Sequence, residues 1–311
     1  MIFKKIIFST SVFLLLSLSS CSSQDAASDE KTEVEAEPID TNAAPKFWQE
    51  HWFEHNQLLK LQAYNDEVVV YYDKDVDRNI EWPKDFFTQT WKYVKQTYGS
   101  FGEEGRLYVV LHSGKYGGGH PSVYVDASHD YRNVLDAGND TWAYKKTGKG
   151  LNLAVHEIGH IVEGITNGVK ENPAWEIWKD SKWAEIFIYD VYKGIGEEAF
   201  ALQAYDEFIK GTDDFPKPQT HWFKDWFYPL YSQYGESKTL SGFYNLLDAY
   251  FPKDATGKKF SRRMNMGEFI HFWSGAAKHD LQSLAEDAFG WNTEWQTQLD
   301  LAKKTFPDIK Y

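Results

Sequence analysis

Between residues 47 and 126 the apolar positions come in short runs rich in β-branched and aromatic residues, broken by Asn, Asp and Gly. From 151 onward they recur at helical spacing over longer stretches. The spacing predicts a helix over 47–64, a strand over 67–72, a helix over 86–98 ended by Gly99, and a strand over 106–112. A turn at Gly117, Gly118 and Gly119 then leads into a strand over 120–126. Further helices are predicted over 151–163, closed by Gly164, and over 182–192, 197–208, 242–250, 266–277 and 281–289. There is no internal repeat. The pattern predicts an α+β fold in a single domain, 46–311, in which a mixed sheet lobe (46–164) is followed by a helical lobe (165–311).

The first 45 residues follow neither pattern. Lys4 and Lys5 precede an apolar run over 6–18, too short to span a bilayer and built like an export signal occupying 1–20. Leu18, Ser19, Ser20 and Cys21 resemble the lipobox of bacterial lipoproteins. The resemblance implies cleavage before Cys21 and lipidation of its thiol, so that the mature chain is an exported lipoprotein held to a membrane, and Ser22 after the cysteine favours the outer membrane. Cys21 is the only cysteine, so no disulfide forms within the chain and stability rests on apolar burial. Residues 21–45 are poor in apolar side chains and read as a flexible acidic tether.

Charge narrows the classes of partner. The net charge is −13; the tether carries seven acids against Lys31 and the leader two lysines, which leaves −9 on the remainder. An acidic domain without a basic stripe argues against nucleic acid, because phosphate binding needs clustered Lys and Arg. Aromatic residues make up 17% of the chain, with 13 Trp, and large rings serve cores more often than glycan surfaces.

The chemistry is concentrated in residues 156–160, HEIGH, an instance of H-E-x-x-H within a helical stretch. Histidines four apart lie on one helical face and bring both imidazoles to one ion, and neutral imidazole suits zinc. Glu157, one residue on from His156, is poorly aimed to bind beside both histidines but well placed to take a proton from a water attacking a carbonyl. Gly159 permits close packing against this helix.

The motif and the sheet-then-helix order resemble the zincin metallopeptidases. The metzincin branch does not fit, because Glu163 stands where its glycine belongs and Thr166 where its last ligand belongs. The gluzincin branch remains, and residues 268–291, EFIHFWSGAAKHDLQSLAEDAFGW, are loosely similar to the distal helices of enhancin-type peptidases, which act on glycoproteins. The resemblance implies a zincin-like fold with the metal between the two lobes and a Glu on a later helix as third ligand to one Zn2+ per chain.

The acids that follow are Glu163, Glu171, Glu176, Asp180, Glu185 and Asp190. Glu163 lies about 10 Å along the axis from His156, too far to share one tetrahedral ion, and reads as a residue that orients a ligand or caps the helix. Glu185 sits in KWAEIFIYDVY, apolar on nearly every face, where a carboxylate is costly unless paired; it is the expected ligand, with the other acids still open. Asp190 is a candidate to receive the second ring N–H of a ligating histidine. Zincins use a Tyr or His at the developing oxyanion, a role for which Tyr189, Tyr192, His221 and His271 are candidates. The 120–126 strand would bind extended substrate along its edge, with His120 near it.

These readings lead to a zinc peptidase acting on extracytoplasmic proteins or glycoproteins. The alternative is a non-catalytic, zinc-containing lipoprotein that binds glycan or peptide, for which Glu157 would have no purpose.

Overall fold

The computed structural model describes residues 43–139, 142–143, 146–147, 150–180 and 182–311. The leader, Cys21 and the tether as far as residue 42 lie outside the described residues. Ala44 is already buried, and the Pro45 carbonyl accepts a 2.8 Å hydrogen bond from the Tyr71 hydroxyl.

Six strands form one mixed sheet: β1 (Phe47–Gln49), β2 (Leu58–Tyr64), β3 (Val68–Tyr72), β4 (Leu107–Ser113), β5 (Gly118–Ser122) and β6 (Asn133–Asn139), in the order β1-β2-β3-β4-β6-β5. β3, β4 and β6 are parallel, while the outer strands pair antiparallel. The central strands are buried on both faces, which is why β3 reads as an unbroken apolar run, VVVYY. One face packs against α1 (Trp82–Tyr98) and α2 (Leu151–Ile165). The other is covered by Trp48 and Trp52, which join Tyr71, Tyr108 and Val110 in a separate apolar cluster. β5 is an edge strand, a position that tolerates Pro121 with its missing N–H.

The remaining elements are helical: α3 (Trp175–Trp178), α4 (Lys182–Gly194), α5 (Glu198–Phe208), α6 (Tyr228–Tyr234), α7 (Ser237–Tyr250), α8 (Met266–Ala277), α9 (Gln282–Phe289) and α10 (Thr293–Thr305). The architecture is α+β, with every described strand before residue 140 and every described α-helix but α1 after 150. Nine of the thirteen Trp are buried, and pairs such as Phe243 with Trp273, stacked at 4.2 Å, show that the rings build core. Among the described residues no helix is long and apolar enough to cross a membrane.

The structure departs from the sequence expectation in the sheet, and α3, α6 and α10 were not anticipated. Residues 47–64 form β1, a loop and β2 instead of a helix. The four-residue spacing of Trp48 and Trp52 mimics a helix, but Trp52 is in the loop, and in β2 Leu58 is exposed while Leu59 is buried, the alternation of a strand. The strand expected over 120–126 runs from Gly118 to Ser122, so two of the turn glycines lie within it. β6 was not anticipated, because Asn133, Asp136 and Gly138 interrupt its apolar pattern.

Candidate active site

The motif helix α2 lies under the sheet edge, with α4 against its other side. Gly159 makes this approach possible: a Cβ there would lie 3.0 Å from the Phe187 ring of α4. The helical repeat puts His156 and His160 on one face, their Nε2 atoms 2.8 Å apart. Asp180, in the link between α3 and α4, adds Oδ1 at 3.1 Å from His160 Nε2 and Oδ2 at 3.9 Å from His156 Nε2. The three residues thus offer nitrogen and oxygen ligand atoms all within 4.8 Å of one another.

Each neighbour fits the metal that the motif implies. Glu163 Oε2 lies 2.6 Å from His160 Nδ1, which fixes the ring and leaves Nε2 facing Asp180 and His156. Burial would lower the His160 pKa, but the hydrogen bond with Glu163 outweighs it and raises it. Burial, reinforced by His160, lowers His156 to about 4, so its imidazole is neutral at physiological pH, the form that binds a cation.

Glu157 is buried and its pKa is raised to about 7, chiefly by desolvation. Its side chain fills the space a Cβ on Gly119 would need, since that atom would fall 2.6 Å from Glu157 Cγ. The glycine of the edge strand is therefore what admits the carboxylate. Two clefts meet here. One, of about 650 Å³, is lined by Pro121, Val123, Trp175, Lys170, Asn172 and Arg263. The other, of about 420 Å³, is lined by Asn152, Leu153, Glu185, Ile188, Glu207 and Phe208. Gly119, His156, Glu157 and Asp180 belong to both.

The structure brings together some of the expected residues and disperses others. Glu185 lines the second cleft, its pKa raised to about 8 by burial and then by Asp213, but it is outside the group of close ligand atoms that contains Asp180. Glu171 lines the first cleft and pairs with Lys259 at 2.5 Å; Glu176 is on the surface with Lys179 at 2.7 Å. Asp190 does not meet a ligating histidine: it accepts hydrogen bonds from Tyr93 and Tyr98 of α1.

None of the four oxyanion candidates lines either cleft. Tyr189 sits among Tyr205, Phe223, Tyr228 and Tyr231. Tyr192 is buried and donates to Asn152 Oδ1 at 2.9 Å, so it braces a cleft residue from behind. His221 Nδ1 donates to the Gly211 carbonyl, and His271 is held by Tyr311 and Phe306. His120 turns to the opposite face of the sheet, 3.3 Å from Asp136. The side-chain donors that do line the clefts are Asn152, Lys170, Asn172, Trp175 and Arg263, scattered over 112 positions of sequence without a shared spacing.

The fold and site together define an α+β protein with a histidine–carboxylate centre on a buried helix beside an exposed sheet edge. No family model matches the chain, and no curated protein matches it. Two crystal structures of a functionally unknown conserved protein from Bacillus anthracis str. Ames, one of them a mutant, are similar to it. They share 12% identity with TM-scores of 0.46 and 0.47, and the matches cover 76% and 79% of this chain and 50% and 52% of theirs. The chain thus spans about half the length of those proteins.

Proposed function

We propose that the chain is a zinc-dependent peptidase with a zincin-like arrangement, acting on extracytoplasmic proteins or glycoproteins. The observation that supports it best is the position of Glu157: a buried carboxylate, admitted by Gly119, beside His156, His160 and Asp180 where two clefts meet. His156, His160 and Asp180 would hold the zinc, with Glu163 orienting His160. When bound, zinc supplies Lewis acidity, which polarises a carbonyl and acidifies a nearby water.

The chain's own groups do the rest. With its pKa near 7, the Glu157 carboxylate takes the proton of the attacking water and returns it to the leaving amine. The exposed side of β5 aligns an extended substrate by backbone pairing and so brings the scissile carbonyl against Glu157. A cation held only for structure would have no use for Glu157 in this position, and this favours the enzyme over a non-catalytic binding lipoprotein.

The test is metal content and cleavage of casein and a mucin by the purified chain and three variants. Glu157→Gln retains its zinc and loses turnover by roughly 10²–10⁴-fold. Asp180→Ala loses zinc from this centre, whereas Glu185→Ala keeps it; the reverse result makes Glu185 the third ligand. Zinc-loaded chain that cleaves neither substrate, or a Glu157→Gln variant as active as the parent, refutes the peptidase. Anchoring through Cys21 is tested separately by metabolic labelling with palmitate, which Cys21→Ala abolishes if the lipobox is used.

A further inference from the structure

A second cluster of ligating side chains lies on the opposite face of the sheet from α2. Glu50 and His55 come from the loop between β1 and β2, His112 from β4 and Asp136 from β6, and one ligand atom of each lies within 4.8 Å of the others. Glu50, His112 and Asp136 are buried and His55 nearly so, its side chain 11% exposed.

The distances match a shared cation. His112 Nε2 is 2.9 Å from Glu50 Oε1 and 3.1 Å from Asp136 Oδ1, and His55 Nδ1 is 3.1 Å from Asp136 Oδ2 and 3.7 Å from Glu50 Oε1. Ligands about 2.0–2.1 Å from one tetrahedral zinc stand about 3.3–3.4 Å from each other. Although they lie so close, His112 Nε2 and Glu50 Oε1 are both fully buried and meet no hydrogen bond of good geometry.

Hydrogen bonds to the remaining atoms hold the ligands in place. Asp73 Oδ2 lies 3.1 Å from His112 Nδ1, which leaves Nε2 as the free ring nitrogen. The Gln57 amide donates to Glu50 Oε2 at 2.7 Å, and the Trp52 indole donates to Asp136 Oδ2 at 2.8 Å. The His55 ring stacks on Tyr116 at 3.6 Å. Three carboxylates, Glu50, Asp73 and Asp136, meet a single Lys or Arg among the described residues, Lys115 beside Asp73. A divalent cation between Glu50 and Asp136 would balance the remaining two charges.

We propose that Glu50, His55, His112 and Asp136 form a second, structural site for a divalent ion of the zinc class. Two imidazoles and two carboxylates suit zinc, and four protein ligands close the coordination sphere and leave no open position for chemistry. The ion clips the loop carrying Glu50 and His55 to the end of β4 and the middle of β6. The proposal rests on none of the residues assigned to the peptidase centre.

The experiment measures metal in the full-length chain and in His156→Ala/His160→Ala, both loaded with zinc and freed of excess. Two equivalents in the parent and one in the double variant are expected. A chelator lowers the Tm of the double variant by several degrees, and added Zn2+ restores it. Loading the double variant with Co2+ gives the visible absorption of a tetrahedral site. Adding Glu50→Gln/His55→Gln to the double variant removes its remaining equivalent; if that protein does not fold, the metal content and cobalt spectrum of the double variant decide. One equivalent in the parent and none in the double variant overturns the second site and leaves the peptidase centre standing. One equivalent in both establishes this site and rejects zinc at the histidine motif.

Discussion

At Gly119 the absence of a single carbon decides whether Glu157 reaches its position, since a Cβ would fall 2.6 Å from Glu157 Cγ and 2.7 Å from its Oε1. Under the proposed peptidase reading, Gly119→Ala is therefore expected to fold and bind zinc as the parent does while turnover falls about 10²-fold, the scale of loss for a catalytic group displaced by about an ångström. Metal analysis and kinetics on the same preparation check this; undiminished turnover would show that Glu157 tolerates the displacement. His156, Glu157 and His160 were legible in the sequence because helical geometry alone places them, whatever the rest of the chain does. So was the contact of Glu163 with His160, three residues before it on the same face. Asp180 was one acid among six: its approach to the histidines depends on how the link from α3 enters α4. Glu50 and Asp136, 86 positions apart, carry no local signal of their proximity.

Among the elements, α8 has the most explicit sequence signature of its start. Asn265 Oδ1 accepts from the Glu268 amide at 2.9 Å, and the Glu268 carboxylate accepts in turn from the Asn265 amide while pairing bidentately with Arg262. Asn265→Ala is expected to cost about 1 kcal/mol, a Tm lower by about 2–4 °C by scanning calorimetry. α1 and α4 are joined through Asp190, whose pKa is raised to about 6 by burial, against the lowering effect of hydrogen bonds from Tyr98, Tyr93 and Tyr231. The folded chain holds this proton more tightly than the unfolded chain, where the carboxyl titrates at 3.8. Its contribution is full below pH 4 and is lost as pH rises through 6, a change on the order of 3 kcal/mol. Asp190→Asn removes that part of the pH dependence, so the stability difference between variant and parent should change from pH 4 to 8; a constant difference would contradict the buried, proton-holding carboxyl. Five of the helices of the second half, α4, α5, α7, α8 and α9, were readable from their apolar spacing, whereas α3, α6 and α10 were not. β1, β2 and β6 were not, because pairing with distant strands overrides their local pattern.

Over the whole molecule, one apolar core runs from the inner face of the sheet through α2 and α4 to α8 and α10, so residues 42–311 form a single unit. With zinc present, thermal unfolding followed by far-ultraviolet and near-ultraviolet circular dichroism is expected to give superimposable curves. Separate midpoints would mean that the sheet and the helices melt independently. The order of sheet before helices was visible in the sequence; the way a loop from one end of the sheet reaches Asp136 near the other was not. β5 also has a consequence for folding fidelity. Glycine-rich strands are prone to slip against their neighbours, yet here consecutive residues face opposite sides: Gly119 opposite Ala137 admits Glu157, and His120 opposite Asp136 turns to the other cluster. A slip of one residue that set His120 opposite Ala137 would push its imidazole against Glu157 and leave Asp136 facing Pro121, so one misalignment of the edge would disturb both faces of the sheet.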